Sequence, residues 1–337
     1  MKRYGDLFDR LLSFENWLMA SRKAFRGKTD RQTVARFYFN LENELLNLKN
    51  ELTTGSYTPK DFKIFEIREP KVRKICSSDF RDRVVHHAIC NVIEPVFDRR
   101  LVYDTYACRT GKGSHAALRR CQEFSRNHEY FLKCDIRKYF DTIDHEVLKG
   151  LLRRILKDRR LLTLLDQIID HGVPGNLPGK GLPIGNLTSQ HFANLYLGEL
   201  DHHLKERLRL KGYLRYMDDF ICFGRDKAEL HQLLTEIRRF TGEVLRLELK
   251  DKVVRIAPVT EGVPFLGFRI YPNLIRLQRV NLVRFRKKLK KKEVAYQEGR
   301  LSQPELVASV NCMIAHLSHA NATALRRKDI EGSLHLG

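Results

Sequence analysis

Two adjacent carboxylates, Asp218 and Asp219, stand in the middle of an apolar, aromatic stretch, LRYMDDFICFG, at 214–224. Tyr213, Leu214, Tyr216 and Met217 lead in; Phe220, Ile221, Cys222 and Phe223 lead out. Runs of this composition are strands, and the break at Met217-Asp218-Asp219 makes them a tight hairpin. Neighbouring carboxylates repel, and burying them without partners is costly. The pair is therefore either a polar turn at the surface or the ligand-bearing tip of a cation site. The hairpin by itself leaves both readings open.

The formal charge of the 337-residue chain is +21, which calls for a polyanionic partner, either nucleic acid or an acidic membrane surface. No stretch approaches the roughly 18 apolar residues of a membrane span. The N-terminal MKRYGDLFDRLLSFENW carries acids too early for a secretory signal. A soluble, cytoplasmic chain with no membrane partner is expected. Its length and its 42% hydrophobic content suit two or three sub-domains around a sizeable core. The seven cysteines are odd in number and form no C-x-x-C pair, so reduced thiols are expected rather than a disulfide framework or a zinc ribbon. The pairs His86-His87 and His202-His203 lie in helix-like patterns and read as helical residues rather than metal ligands.

Val34, Phe37, Leu41, Leu45, Leu48 and Leu52 recur at spacings of three and four, which predicts one amphipathic helix ending near Thr53-Thr54-Gly55. Residues 61–76 alternate as a β-ribbon. Val84 to Ile93 mark a helix that Pro95 helps to end. FLKCDI (131–136) reads as a short buried strand, and Asp144 as the cap of a helix beginning at His145. A Gly/Pro-rich loop spans 171–186, and a helix follows from about Thr188 to Leu210. After the hairpin come a helix near 227–240 and single strands at Val244–Leu249 and Val263–Ile270. The order suits an α+β core with a small antiparallel sheet. From about 276 the chain turns basic and helical. RFRKKLKKK (284–292) carries seven cations, while Phe285 and Leu289, four apart, give it one packing side. That pattern favours a backbone-phosphate contact over a merely solvated face.

If Asp218 and Asp219 hold cations, a third carboxylate should come from a neighbouring strand. Asp135, at the end of FLKCDI, is the candidate; Asp141 and Asp144 fall where capping explains them. Three such acids suit two Mg²⁺ ions about 3.5–4 Å apart, with Mn²⁺ able to substitute, as phosphoryl transfer requires.

With these residues in place, the chain over about 60–330 resembles a reverse transcriptase. YMDD (216–219) is similar to the catalytic hairpin of that family, and DIRKYFDTIDH (135–145) to its first-aspartate motif. VRKICSSDFRDRVVHHAI (72–89) resembles the fingers motif, YACRTGKGSHAALRRC (106–121) the next block, LELKDKVV (247–254) the lysine-bearing motif, and VPFLGFRI (263–270) the primer grip. The resemblance implies a right-hand polymerase fold. Its parts would be an N-terminal helical extension (1–60), fingers and the start of the palm (61–130), the palm (131–272) and a basic helical thumb (273–337). It makes Asp135, Asp218 and Asp219 the catalytic metal ligands, with the Ile136 carbonyl beside them. Arg73, Lys74, Ile136, Phe140, Ile184, Gly185, Gln190 and Lys252 would serve the incoming dNTP, Phe140 as the ring that excludes a ribose 2′-OH. Tyr216, Met217, Phe265, Leu266, Gly267, Arg284, Lys287, Lys288 and Lys291 would serve primer and template. Where relatives often show I-P-K, this chain has Ile67-Arg68-Glu69, so the fingers lysine could be Lys63, Lys71 or Lys74.

Ile184-Gly185-x-x-x-Ser189-Gln190 departs from the common Q-G-x-x-x-S-P and resembles the enzymes of diversity-generating retroelements. Those enzymes copy a template-repeat RNA with errors at adenine. The resemblance implies template RNA, cDNA and dNTPs as partners, a bacterial, phage or archaeal host, and a small basic accessory-variability protein oligomer. No RNase H-like domain or maturase extension is expected after the helical tail. The alternatives are a retron, abortive-infection or intron-type enzyme, or an RNA-binding protein that keeps the fold without the chemistry.

Overall fold

The computed structural model describes residues 3–27, 32–68 and 72–317. Glu69, Lys71 and the 318–337 end of the expected thumb lie outside the described residues, as do 1–2 and 28–31 of the expected N-terminal extension.

Four helices come first: α1 (Leu7–Leu11), α2 (Phe14–Phe25), α3 (Gln32–Phe39) and α4 (Leu41–Thr54). The single helix expected from Val34 to Leu52 is thus two, parted at Asn40, whose φ of −106° and ψ of 31° leave the helical range. Val34, Phe37, Leu45, Leu48 and Leu52 are nonetheless all buried, because each half keeps its own apolar stripe. Gly55, at φ 74°, closes α4 with the left-handed residue that glycine tolerates best.

The ribbon β1 (Lys63–Ile67) and β2 (Arg73–Ser77) precedes α5 (Phe80–Asp98). Pro95 does not end α5; it lies inside. An interior proline costs about 3 kcal/mol. Here the cost is offset by burial of Val84, Val85, Ala88, Ile89, Val92, Ile93, Val96 and Phe97 in one continuous helix against α2.

Then follow α6 (Ser114–Asn127), β3 (Tyr130–Asp135), α7 (Tyr139–Thr142), α8 (His145–Ile155), α9 (Arg159–Asp170) and α10 (Leu187–His202). The Asp144 carboxylate accepts from the Val147 amide at 3.1 Å, the cap the sequence predicts, worth about 1 kcal/mol. The helix expected to reach Leu210 passes at His203–Arg207 into a π-helical turn. Next come β4 (Gly212–Tyr216), β5 (Asp219–Gly224), α11 (Lys227–Glu243), β6 (Arg255–Pro258), β7 (Val263–Phe265), β8 (Phe268–Tyr271), β9 (Leu274–Leu277), α12 (Arg279–Gln297) and α13 (Gln303–Leu317).

Two strand expectations change. Residues 244–249 are irregular, held by the Arg137 N–H to Glu248 O bond at 2.8 Å and one isolated bridge between Ile136 and Leu249. The strand at 263–270 is a hairpin, because Leu266 (φ 47°) and Gly267 (φ 87°) form a two-residue turn with both residues left-handed.

The chain divides into two compact units. The first takes the described residues up to Arg109, with Asp135–Arg209 and Glu236–Lys250. It is helical, built around α5, α2 and α10, and carries the β1–β2 ribbon. The second takes Thr110–Cys134, Leu210–Thr235 and the described residues from Asp251 onward. It holds a four-stranded sheet of order β4-β5-β3-β6 and a three-stranded meander β7-β8-β9. Helix α6 packs on β4 and β8. Helices α12 and α13 share a small core of Phe285, Leu289, Leu306 and Val310. All seven cysteines are free, and no described helix is long and apolar enough to cross a membrane.

Candidate active site

The hairpin turn is as tight as its sequence implies. Tyr216 pairs with Asp219 across β4 and β5, leaving Met217 and Asp218 as the two-residue loop. Met217 sits at φ 58°, a left-handed conformation a side chain adopts at some cost. Its carbonyl is held by Arg215, whose Nη1 donates at 2.9 Å from a fully buried position on β4. Burying a guanidinium is costly unless it is paired, so Arg215 has a specific task here, and the sequence reading missed it. Its signal was available: an arginine inside an otherwise apolar strand. Asp218 and Asp219 are both half-buried.

Asp219 is gripped by a second residue that the sequence reading passed over. Lys133 Nζ donates to both of its carboxylate oxygens, each at 2.8 Å. Lys133 and Asp135 are two apart on β3, so both side chains leave the same face of the strand. The Asp135 carboxylate lies 4.0 Å from Lys250 Nζ, and its carbonyl accepts from the Lys250 amide at 2.8 Å. Ile136 is buried just beyond.

Among the described residues, no three His, Cys, Asp or Glu side chains are gathered as a ready metal cage. The donor chemistry still suits a hard cation, since carboxylate oxygens are what Mg²⁺ and Mn²⁺ take. Two of these carboxylates already attract a positive group, Lys133 and Lys250.

The residues expected at the nucleotide divide between the units. In the first, Arg73 and Lys74 are exposed on β2, and the Lys74 ammonium donates to the Pro174 carbonyl in the Gly/Pro-rich loop. That same strand is joined to the Ile184-Gly185 motif, since the Cys76 amide donates to Ile184 O at 2.9 Å. Gly185 has φ 126°, and a Cβ there would lie 2.8 Å from the Cys76 carbonyl oxygen. The glycine is thus demanded by the ribbon lying on it. Ile184 is half-buried. The Gln190 amide oxygen accepts from the Cys108 thiol at 3.3 Å. Phe140 is half-buried on α7, edge-on to Tyr139, and its carbonyl accepts from Leu182 at 2.7 Å. Lys252 belongs to the second unit and is exposed in a turn. Of the candidate fingers lysines, Lys63 lies on β1 and Lys74 on β2.

Also in the second unit, Phe265 is buried, and Leu266-Gly267 make the β7–β8 turn. Asn281 of α12 donates to the Gly267 carbonyl at 2.9 Å, tying the turn to the basic helix. On that helix Arg284, Lys287, Lys288, Lys290 and Lys291 are exposed while Phe285 and Leu289 are buried, the two-sided pattern expected from the spacing. Replacing Lys287, Lys288, Lys290 and Lys291 with Ala is expected to weaken nucleic-acid binding alike at every sequence. The slope of log K against log salt should shrink by up to about 3. Titrating fluorescent RNA at several salt concentrations reads this directly; a loss confined to one sequence would contradict a backbone contact.

A tight β4–β5 hairpin presents two adjacent carboxylates, and the chain around it can be placed in a class. Residues 61–270, more than half the chain, match the reverse transcriptase (RNA-dependent DNA polymerase) family, and the chain belongs to it. Its mixed helices and small antiparallel sheets are those of a reverse transcriptase polymerase fold. Among its relatives is Protein YkfC of Escherichia coli K12, 26% identical over 81% of this chain and 85% of YkfC. Group II intron-encoded protein LtrA of Lactococcus lactis is 25% identical over 63% of this chain and 35% of LtrA. Nuclear intron maturase 1 of Arabidopsis thaliana is 26% identical over 48% of this chain and 26% of the maturase. The chain thus spans most of YkfC but about a third or less of these two intron proteins. Apo telomerase from Candida tropicalis truncated from its C-terminal domain is similar at a TM-score of 0.49 and 14% identity, covering 68% of this chain and 59% of that one.

Proposed function

We propose that this chain is an RNA-directed DNA polymerase of the diversity-generating type, copying a template-repeat RNA into mutagenised cDNA. The observation that carries the polymerase reading is the Met217-Asp218 turn holding Asp218 and Asp219 side by side, in a chain of the reverse transcriptase family. Pure RNA binding has no use for such acids. In the reaction, the primer 3′-hydroxyl gives up its proton to solvent, its oxygen attacks the α-phosphorus of a dNTP to form a new P–O bond, the bond from that phosphorus to the oxygen bridging to the β-phosphate breaks, and pyrophosphate leaves. Asp135, Asp218 and Asp219 would hold Mg²⁺ or Mn²⁺, which supplies charge neutralisation when bound. Phe140 would exclude the 2′-OH, and Arg73 and Lys74 would meet the triphosphate. Residues 61–130 would act as fingers, 131–272 as palm and 273–337 as thumb.

The subtype rests on Ile184 and Gln190. Where a Gln offers donors and acceptors, Ile184 offers packing alone. Selectivity between right and wrong pairs is a difference of transition-state energies, and a floor without polar contacts narrows it. The test is primer extension on a defined RNA, followed by sequencing of the product, with and without a candidate accessory protein. Errors concentrated opposite adenine are expected, and Ile184→Gln should reduce them by about tenfold, some 1.4 kcal/mol of discrimination. Accurate cDNA from the unaltered chain would remove the mutagenic role and leave the polymerase.

A further inference from the structure

Lys133 Nζ makes three contacts, to Asp219 Oδ1 and Oδ2 at 2.8 Å each and to the Pro264 carbonyl at 2.7 Å. An ammonium has three N–H donors, so these contacts use them all. The side chains of Lys133 and Asp219 are 13% and 22% exposed, which takes the pair largely out of water. The ammonium also lies 5.7 Å from the centre of the Phe265 ring. One residue on β3 thereby ties the first residue of β5 to β7, a strand of a different sheet. Strand β7 leads directly into the Leu266-Gly267 turn, and that turn is tied in turn to Asn281.

We infer that Lys133 is a positioning residue for synthesis, acting through Asp219: it fixes that carboxylate against β7, so that the acid-bearing hairpin and the Phe265-Leu266-Gly267 turn hold one register. The inference rests on the polymerase reading for its consequence, but the clamp itself is a property of the fold. A plain structural lysine would serve stability alone. A positioning lysine sets how well the reacting atoms are aligned, and misalignment of about 1 Å can cost a hundredfold in rate.

The test is a double-mutant cycle with Lys133→Met, which keeps the stem and removes the charge, and Asp219→Asn. Two readouts are taken. In urea unfolding, each single change leaves one partner of a buried pair without the other, so each lowers the midpoint. The double variant should recover much of that loss, because neither charge is then stranded. In single-nucleotide extension, Lys133→Met should lower kcat about tenfold or more while the dNTP KM moves less than about threefold. Lys133→Arg should restore part of kcat, because it returns a cation to Asp219.

Additive losses in the cycle, or a Lys133→Met enzyme with unchanged kcat, would overturn the proposal. If the unaltered protein makes no cDNA, the polymerase reading falls and takes the positioning role with it, whereas the urea cycle still decides whether the clamp exists. An additive urea cycle in an active enzyme overturns the clamp and leaves the polymerase standing.

Discussion

Asp218→Asn is expected to abolish metal-dependent synthesis while leaving RNA binding nearly intact. The substitution changes one oxygen for an amide and keeps the volume, so the Met217-Asp218 turn and the β4–β5 pairing should persist. What it removes is negative charge where, on the proposed function, a hard cation would be held and transition-state stabilisation would depend on that charge. A loss of at least about a thousandfold in rate, some 4 kcal/mol of barrier, is the expected scale. RNA affinity should change little, because the exposed cations of α12, expected to meet phosphate, lie elsewhere in the chain. Filter binding and primer extension on the same preparation check both halves. Binding lost with chemistry retained would refute the assignment of Asp218.

Gly185→Ala should be the most damaging single methyl in the first unit. The backbone at φ 126° is one that side chains rarely adopt, which alone costs about 1–3 kcal/mol. The added Cβ would also meet the Cys76 carbonyl at 2.8 Å, and backbone cannot rotate away as a side chain can. Relief requires β2 to shift, breaking the Cys76 amide to Ile184 carbonyl bond and moving Arg73 and Lys74 with the ribbon. A lower melting temperature, together with a raised dNTP KM, is therefore expected. A variant that melts normally but incorporates slowly would show that the glycine serves the nucleotide directly rather than the ribbon. Scanning calorimetry alongside steady-state extension distinguishes the two.

Much of this architecture is written in local patterns. The β-ribbon, the Asp144 cap, the acid hairpin and the two-sided basic helix each follow from spacing over a few residues, and each is present. The failures are equally physical. Pro95 is absorbed because tertiary burial along α5 outweighs a local penalty. The β7–β8 turn was hidden because Leu266 occupies a left-handed position usually given to Asn, Asp or Gly. The expected strand at 244–249 has apolar alternation but only one isolated bridge to pair with. At the site, the aspartates were legible because adjacent acids in an apolar hairpin demand an explanation. Arg215 and Lys133 raised the same question, a charge within a buried strand, yet their partners, the Met217 carbonyl and Asp219, become visible only once the strands are paired. No periodicity reports a contact between residues 133 and 219.

Templated synthesis of DNA on RNA is what the proposed function requires of this chain. Its most direct measurement is incorporation of a single nucleotide onto a primer annealed to a defined RNA, with Mg²⁺ and each dNTP or rNTP offered separately. Addition of dNTPs that depends on the template, strong rejection of rNTPs, and no addition by the Asp218→Asn protein are expected. Extension that ignores the template, equal use of rNTPs, or undiminished extension by Asp218→Asn would contradict the proposed function.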